Sequence, residues 1–170
     1  ASIVDGFDAD TAIRINAEGT GELMSYFRKA QAFLVMSSCA VYGSPKNGEI
    51  EVSENFEYGG SPQPYSNSYS VSKFAEEAVA RFAAREFDLP TTIARMNVAY
   101  GENGGLPAML LDAILAGETI PLRPLRASVC SPIHEEDIIA QTPALLAAAA
   151  VPATITNWGG DQAVDLREMI

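Results

Sequence analysis

The chain has 170 residues, 48% of them hydrophobic and 19% charged, with a formal net charge of −11. That length and composition fit one folded domain with a real core and exclude a disordered chain. The acidic balance argues against nucleic acid or an anionic membrane as the main partner. No apolar run is long enough to cross a bilayer, and the first five residues carry none of the basic character of a secretory leader. Cys39 and Cys130 have no Cys-x-x-Cys spacing, so they suggest neither a zinc site nor a disulfide framework, and they fit a reduced, cytosolic setting. With His134 as the sole histidine of the sequence, Cys39 reads as a small buried thiol rather than a nucleophile.

Residues 8–30 predict a helix in which Ile15, Gly19, Leu23 and Phe27 recur every four positions. The run Phe33-Leu34-Val35-Met36 predicts a buried strand of the parallel-sheet kind, ending in Ser37-Ser38. Residues 43–64 are rich in Gly, Pro, Asn and Ser and predict a long loop. A second helix is expected over 66–87, with Val71, Phe74, Ala75, Ala78 and Phe82 on its apolar face and Asp88-Leu89-Pro90 as its stop. Residues 91–96 predict a strand, 107–116 a helix ended by Gly117, and 119–133 a mixture of strand and loop. Residues 135–150 predict a helix with acids at its N-terminus, where the dipole favours them. A strand is expected over 153–157, followed by a helical turn capped by Asp165. This order gives an α/β chain with a largely parallel sheet.

Tyr69 and Lys73 lie four residues apart at the head of the second helix, which stacks a phenol and an ammonium on one face. An ammonium beside a phenol favours the phenolate. A free Tyr titrates near ~10, too high for an efficient proton shuttle at neutral pH. The pair therefore suits general acid/base work on a carbonyl/alcohol couple. Ligands of parallel α/β sheets bind at the carboxyl ends of the strands. Ser37 and Ser38 follow the first strand directly and Asn97 follows the second, so both motifs are expected on the rim that the Tyr69 helix approaches.

These residues resemble the extended short-chain dehydrogenase/reductases, the sugar-nucleotide epimerases and dehydratases that use NAD or NADP. Asn16-Ala17-Glu18-Gly19-Thr20 is similar to the family's Asn-x-x-Gly-Thr helix. Residues 33–43 resemble its strand followed by Ser-Ser-x-x-Val-Tyr-Gly, and residues 69–73 its Tyr-x-x-x-Lys. Arg95 to Gly101 resembles Arg-x-x-Asn-x-Tyr-Gly, Ile133 to Asp137 resembles Ile-His-x-x-Asp, and Asn157 to Gly160 resembles Asn-x-Gly-Gly. The resemblance implies a partial Rossmann-like, doubly wound parallel sheet with flanking helices, plus part of a smaller substrate-binding region. Residues 1–101 would be the later half of the dinucleotide-binding domain, and 102–170 substrate-binding and returning Rossmann elements. Tyr69 would move the proton, Lys73 would assist it and hold the nicotinamide ribose, Ser38 would hold the substrate oxygen, and Asn97 would lie beside the substrate. Ser37 would lie near the nicotinamide. His134, Asp137, Arg95 and Asn16 are expected to be structural. Helices 10–30 and 66–87 form a candidate homodimer interface.

The family's Gly-x-x-Gly-x-x-Gly turn, which seats the cofactor pyrophosphate on a helix N-terminus, does not occur in these 170 residues, nor does the residue that tells NAD from NADP. The chain is therefore expected to be an internal piece of a longer enzyme and to be inactive alone. Cys39 and Ala40 stand where the family's 4,6-dehydratases carry acids, which speaks against dehydration. Cys130 stands where UDP-sugar epimerases place a diphosphate-binding Arg; Arg126 or Arg123 would have to substitute. The expected function is an NAD(P)-dependent epimerase or oxidoreductase of a sugar nucleotide. A reductase or dehydrogenase of a smaller carbonyl or alcohol is the alternative, and a non-catalytic dinucleotide-sensing or scaffold relative is a further one.

Overall fold

The computed structural model describes residues 8–43, 51–59, 67–102, 104–120 and 129–170. Asp8 opens the first helix, accepting hydrogen bonds from the Thr11 backbone N at 3.0 Å and the Thr11 hydroxyl at 2.9 Å, as an N-cap should. Helix α1 (Ala9–Ile13) passes through a π-helical turn over Arg14–Glu18 into α2 (Gly19–Tyr26). Strand β1 (Phe33–Ser38) follows, then a short 3-10 turn over Cys39–Val41 and the long helix α3 (Asn67–Glu86). Helix α3 stops where Asp88 adopts φ 50° and the Leu89 N–H bonds back to the Ala84 carbonyl at 2.9 Å, a left-handed C-terminal cap reinforced by Pro90.

Strand β2 (Thr91–Met96) and, much later, β7 (Thr154–Trp158) complete a three-stranded parallel sheet of order β1-β2-β7. Between them lie β3 (Ala99–Gly101), β4 (Gly104–Gly105), α4 (Leu106–Leu115), β5 (Val129–Cys130), β6 (Ile133–His134) and α5 (Glu135–Ala147). Strand β8 (Val164–Asp165) and a 3-10 turn over Leu166–Glu168, capped by Asp165, end the chain. The α/β class and the parallel sheet agree with the sequence expectation, and each expected helix boundary on described residues lies within a few positions of the observed one.

Residues 91–95 of the central strand are all buried, because helices cover both faces of the sheet. Odd positions face α2 and α3: Val35 and Ile93 join Met24, Ala80, Ala83, Ala84 and Leu89 in one core cluster. Even positions face α5: Leu34, Ala94 and Met96 pack with Ile133, Trp158, Ile138 and Leu145. This is the two-residue period of a strand serving two cores.

The helices on the α2/α3 side are oriented differently from the expectation. Ile15, Leu23 and Phe27, and likewise Val71, Phe74 and Phe82, are exposed, with Leu23 at 53% and Phe82 at 59%. The inward face of α3 consists instead of Ser70, Ser72, Lys73, Glu76, Glu77, Ala80, Ala83 and Ala84. Small residues at this face let helices approach closely; a Cβ on Gly21 of α2 would lie 2.8 Å from the Val79 side chain of α3. The polar residues are admitted because they find partners.

The main partner is Arg95, 1% exposed on β2. Its Nε donates to Glu77 Oε1 at 2.8 Å and its Nη2 to Oε2 at 2.7 Å. Nη2 also donates to the Tyr58 hydroxyl, and Nη1 to the Tyr42 hydroxyl at 2.9 Å and the Glu54 carbonyl at 2.8 Å. All five guanidinium N–H groups are thus satisfied. Glu77 Oε1 additionally accepts from the Ser37 hydroxyl at 2.6 Å, and Tyr42 donates to Asn157 Oδ1. Ser37, Arg95 and Asn157 are register partners across the three strands, so one row of the sheet is polar throughout. This agrees with an architectural Arg95, and it commits the Ser37 hydroxyl, expected near a nicotinamide, to the ion pair.

Removing one member of such a pair leaves an uncompensated buried charge. Arg95→Met is expected to lower unfolding free energy by ~3–5 kcal/mol, and Arg95→Met/Glu77→Met to recover part of that loss. Denaturant melts of the three proteins check this; a double variant no more stable than Arg95→Met would show that the charge is not the issue.

Candidate active site

The three parallel strands end flush. Ser38 is in register with Met96, and Met96 with Trp158, so Ser38, Asn97 and Gly159 stand along one edge. Ser38 Oγ accepts from the Ala40 N–H at 3.2 Å and caps the 3-10 turn that packs against α3. That bond uses an acceptor site and leaves the hydroxyl proton for another oxygen. Asn97 ties the rim together: its N–H donates to the Trp158 carbonyl at 2.8 Å, and its Oδ1 accepts from the Val98 N–H at 2.9 Å and the Ser131 N–H at 3.2 Å. The side-chain oxygen is thus a structural acceptor, in the way turn-forming Asn residues work, and its amide N–H groups have no partner among the described residues. The Gly160 N–H bonds to the Ser131 carbonyl at 3.2 Å, and a Cβ on Gly160 would run into the Pro132 carbonyl. Glycine is required there by close approach.

Tyr69 lies in the first turn of α3, half-buried, and no hydrogen bond to its phenol oxygen occurs among the described residues. Lys73, one turn further on, is 3% exposed. Its Nζ sits 5.9 Å from the Tyr69 ring centroid, donates to the Met36 carbonyl of β1 at 2.9 Å, and is 2.8 Å from Glu76 Oε2. An ammonium carries three N–H donors, so one remains. The helical spacing therefore brings phenol and ammonium together as the sequence anticipates, and the helix carries them to β1 two residues before Ser38.

Asn16 fills the π turn between α1 and α2, buried, with its Nδ2 donating to Ser72 Oγ at 2.9 Å. His134 caps α5, its Nδ1 accepting from the Glu136 N–H at 3.3 Å, and its ring meets Tyr100 edge-on at 5.1 Å. Asp137 lies in the first turn of α5. All three positions have structural surroundings. Arg123 and Arg126, offered as substitutes for a diphosphate-binding Arg, lie outside the described residues. Burial pushes the Cys39 thiol up to about 11, consistent with an unreactive thiol. Cys130 is also raised by burial, with Asp165 adding to it.

Sequence reasoning passed over Glu76, Glu77, Tyr42, Tyr58 and Thr20. The signal was present for two of them. Acids at three and four positions after Lys73, in line with Ser70, Ala80 and Ala84, mark the small-residue face as the buried one.

The family model described as the NAD dependent epimerase/dehydratase family matches residues 5–154. No curated protein matches the chain. Among solved structures, a double mutant of the dTDP-glucose 4,6-dehydratase of Streptomyces venezuelae with NAD bound is 25% identical at a TM-score of 0.73, covering 98% of this chain and 53% of that one. The UDP-glucuronic acid 4-epimerase of Bacillus cereus in complex with NAD is 21% identical at a TM-score of 0.75, with 98% and 53% covered. The same epimerase with UDP-glucuronic acid and NAD is 20% identical at 0.71, with 95% and 51% covered. The chain spans about half the length of these structures. On the match over most of its length, the chain belongs to the NAD dependent epimerase/dehydratase family.

Proposed function

We propose that the protein carrying this chain is an NAD(P)-dependent epimerase or oxidoreductase acting on a sugar nucleotide, with Tyr69 as its general acid/base. The observation that carries the reading is the Tyr69–Lys73 pair: a half-buried phenol without a hydrogen-bond partner among the described residues, and a buried ammonium 5.9 Å from its ring. The family membership and the nucleotide-sugar complexes of the structural relatives support the substrate class by analogy of fold. The free donor of Lys73, the phenol and the hydroxyl proton of Ser38 suit a nicotinamide ribose and a substrate oxygen. A nicotinamide cofactor, when bound, supplies the hydride chemistry. Tyr69 then takes the substrate hydroxyl proton as the carbon–oxygen bond becomes a carbonyl, and returns it in the reverse sense. Ser38 hydrogen-bonds to that oxygen, and Lys73 would hold the ribose of the bound cofactor.

Cys39 and Ala40 favour epimerisation or oxidation over 4,6-dehydration. A thiol held near 11 is a far weaker proton donor than a carboxylic acid, and alanine has none to give. A second reading, reduction or oxidation of a smaller carbonyl or alcohol, draws on Cys130, an uncharged thiol 3.8 Å from the Val164 carbonyl at the position that would otherwise bind a diphosphate.

The exposed apolar residues of α2 and α3, including Leu23, Phe27, Val71, Phe74 and Phe82, further support a homodimer through these helices.

In the intact protein, assayed with NAD or NADP against UDP-glucuronic acid, UDP-glucose, dTDP-glucose and small aldehydes, Tyr69→Phe is expected to lower kcat by ~10²–10⁴-fold. Unaltered turnover in that variant would remove Tyr69 from the proton path, and turnover of the aldehydes alone would favour the second reading. By calorimetry, the 170-residue chain by itself is expected to show no micromolar binding of NAD or NADP. Sedimentation of the intact protein should report a dimer that Leu23→Glu/Phe82→Glu converts to monomer; a dimer unaffected by both charges must use another surface.

A further inference from the structure

Lys73 has a companion that the Tyr69–Lys73 unit does not itself require. Glu76, 6% exposed on the inward face of α3, places Oε2 2.8 Å from Lys73 Nζ, and among the described residues this ion pair is the sole polar contact of that oxygen. Oε1 accepts from the Thr20 hydroxyl at 3.0 Å, a proton that Thr20 shares with the Asn16 carbonyl at 2.8 Å. The carboxylate is therefore thinly solvated: one ammonium, half a share of one hydroxyl, and no water-facing surface to speak of. Burial raises its pKa, with Lys73 and Thr20 opposing the rise and Glu77 adding to it. Buried carboxylates are not kept in such a place by packing alone, since their desolvation is unfavourable.

We propose that Glu76 is a positioning residue of the proton-transfer unit: its carboxylate anchors the Lys73 ammonium against the end of β1 and sets how much of that ammonium's field reaches the Tyr69 phenol. The inference rests on the reading of Tyr69 as proton shuttle. Its physical basis is Coulomb's law. An ammonium alone acts on the phenol as a monopole. With a carboxylate 2.8 Å from Nζ, the same ammonium acts as one end of a dipole, whose field is weaker and depends on orientation. Glu76 thereby tempers the field that the Lys73 ammonium exerts at the phenol. The other charged groups of this cluster are Glu77 on the same helix and Arg95 on β2, which neutralise each other. Facing Glu76 and Lys73, α2 contributes the uncharged Thr20 and β1 the Met36 carbonyl.

The test does not need the substrate. The Tyr69 phenol is followed by its absorbance step near 295 nm, taken as the difference between each protein and its own Tyr69→Phe counterpart, in the intact protein. Glu76→Gln is expected to move that step to lower pH by about half a unit or more, while Glu76→Asp, which keeps the charge, leaves it near the original position. Glu76→Met repeats the neutralisation with an apolar side chain, should the glutamine variant fold poorly. A step that stays put or rises in both neutral variants, or that moves as far with aspartate as with glutamine, would overturn the proposal. Turnover in Tyr69→Phe tests the shuttle reading separately, so the two ideas fail on different measurements.

Discussion

The bidentate pair between Arg95 and Glu77 is the constraint around which this half of the fold is arranged. A guanidinium taken out of water is tolerated only when its donors are met and its charge is balanced. Here the fork lies against a carboxylate from α3, two tyrosine hydroxyls and a backbone carbonyl. Burial works against the charge, yet the bonds it donates to the Glu77 carboxylate and the Tyr42 oxygen hold the guanidinium firmly protonated. Because its partners come from the stretch after β1, from α3 and from residues 51–59, one buried cation ties three segments together, and the Tyr42–Phe56 and Tyr58–Phe74 ring contacts add to that tie. The same pair determines which face of α3 looks inward, and so where Tyr69 and Lys73 meet the strand ends.

The sheet shows the change of character in successive rows. Val35, Ile93 and Ile155 form an apolar row; two residues later Ser37, Arg95 and Asn157 form a polar one, and the strands end a residue beyond. Hydrophobic burial holds the lower part of the sheet to α2 and α3, whereas hydrogen bonds with fixed directions hold the upper part. Directional contacts suit a region that must keep side chains at set distances, as a site for proton transfer demands. The rim contributes little apolar surface of its own, and its shape depends on Asn97 and the glycines after Trp158 rather than on packing.

Much of this was legible in the sequence. The strand ending in Ser37-Ser38, the strand 91–96 and the Tyr69–Lys73 spacing follow from short apolar runs and helical periodicity, which are local signals. The orientation of α3 was not legible by the same means. Its outward face carries Val71, Phe74 and Phe82 and its inward face carries charge, so a hydrophobic stripe identifies the wrong side. The inward side is set by an ion pair to Arg95, 18 positions beyond Glu77 and on another element, and no periodicity reports such a contact. The role of Ser37 was obscured for the same reason: its partner lies 40 residues away. Asn97 is expected beside the substrate, and its side-chain oxygen is taken up by the Val98 and Ser131 N–H groups of the rim.

The π turn at Arg14–Glu18 has a consequence for how this chain tolerates length changes. A helix advances about 100° per residue, and a wider turn alters the phase between the segments on either side of it. The present phase turns Asn16, Ala17 and Met24 inward and leaves Leu23 and Phe27 outside. A π turn holds one residue more than an α turn over about the same rotation, so loss of a single residue within it would restore an α turn and leave α2 facing as it does, with Met24 on the sheet. A one-residue deletion inside α2 itself would instead rotate everything after it by about 100°, so the π turn is the place where this helix can change length without turning Met24 away from the core.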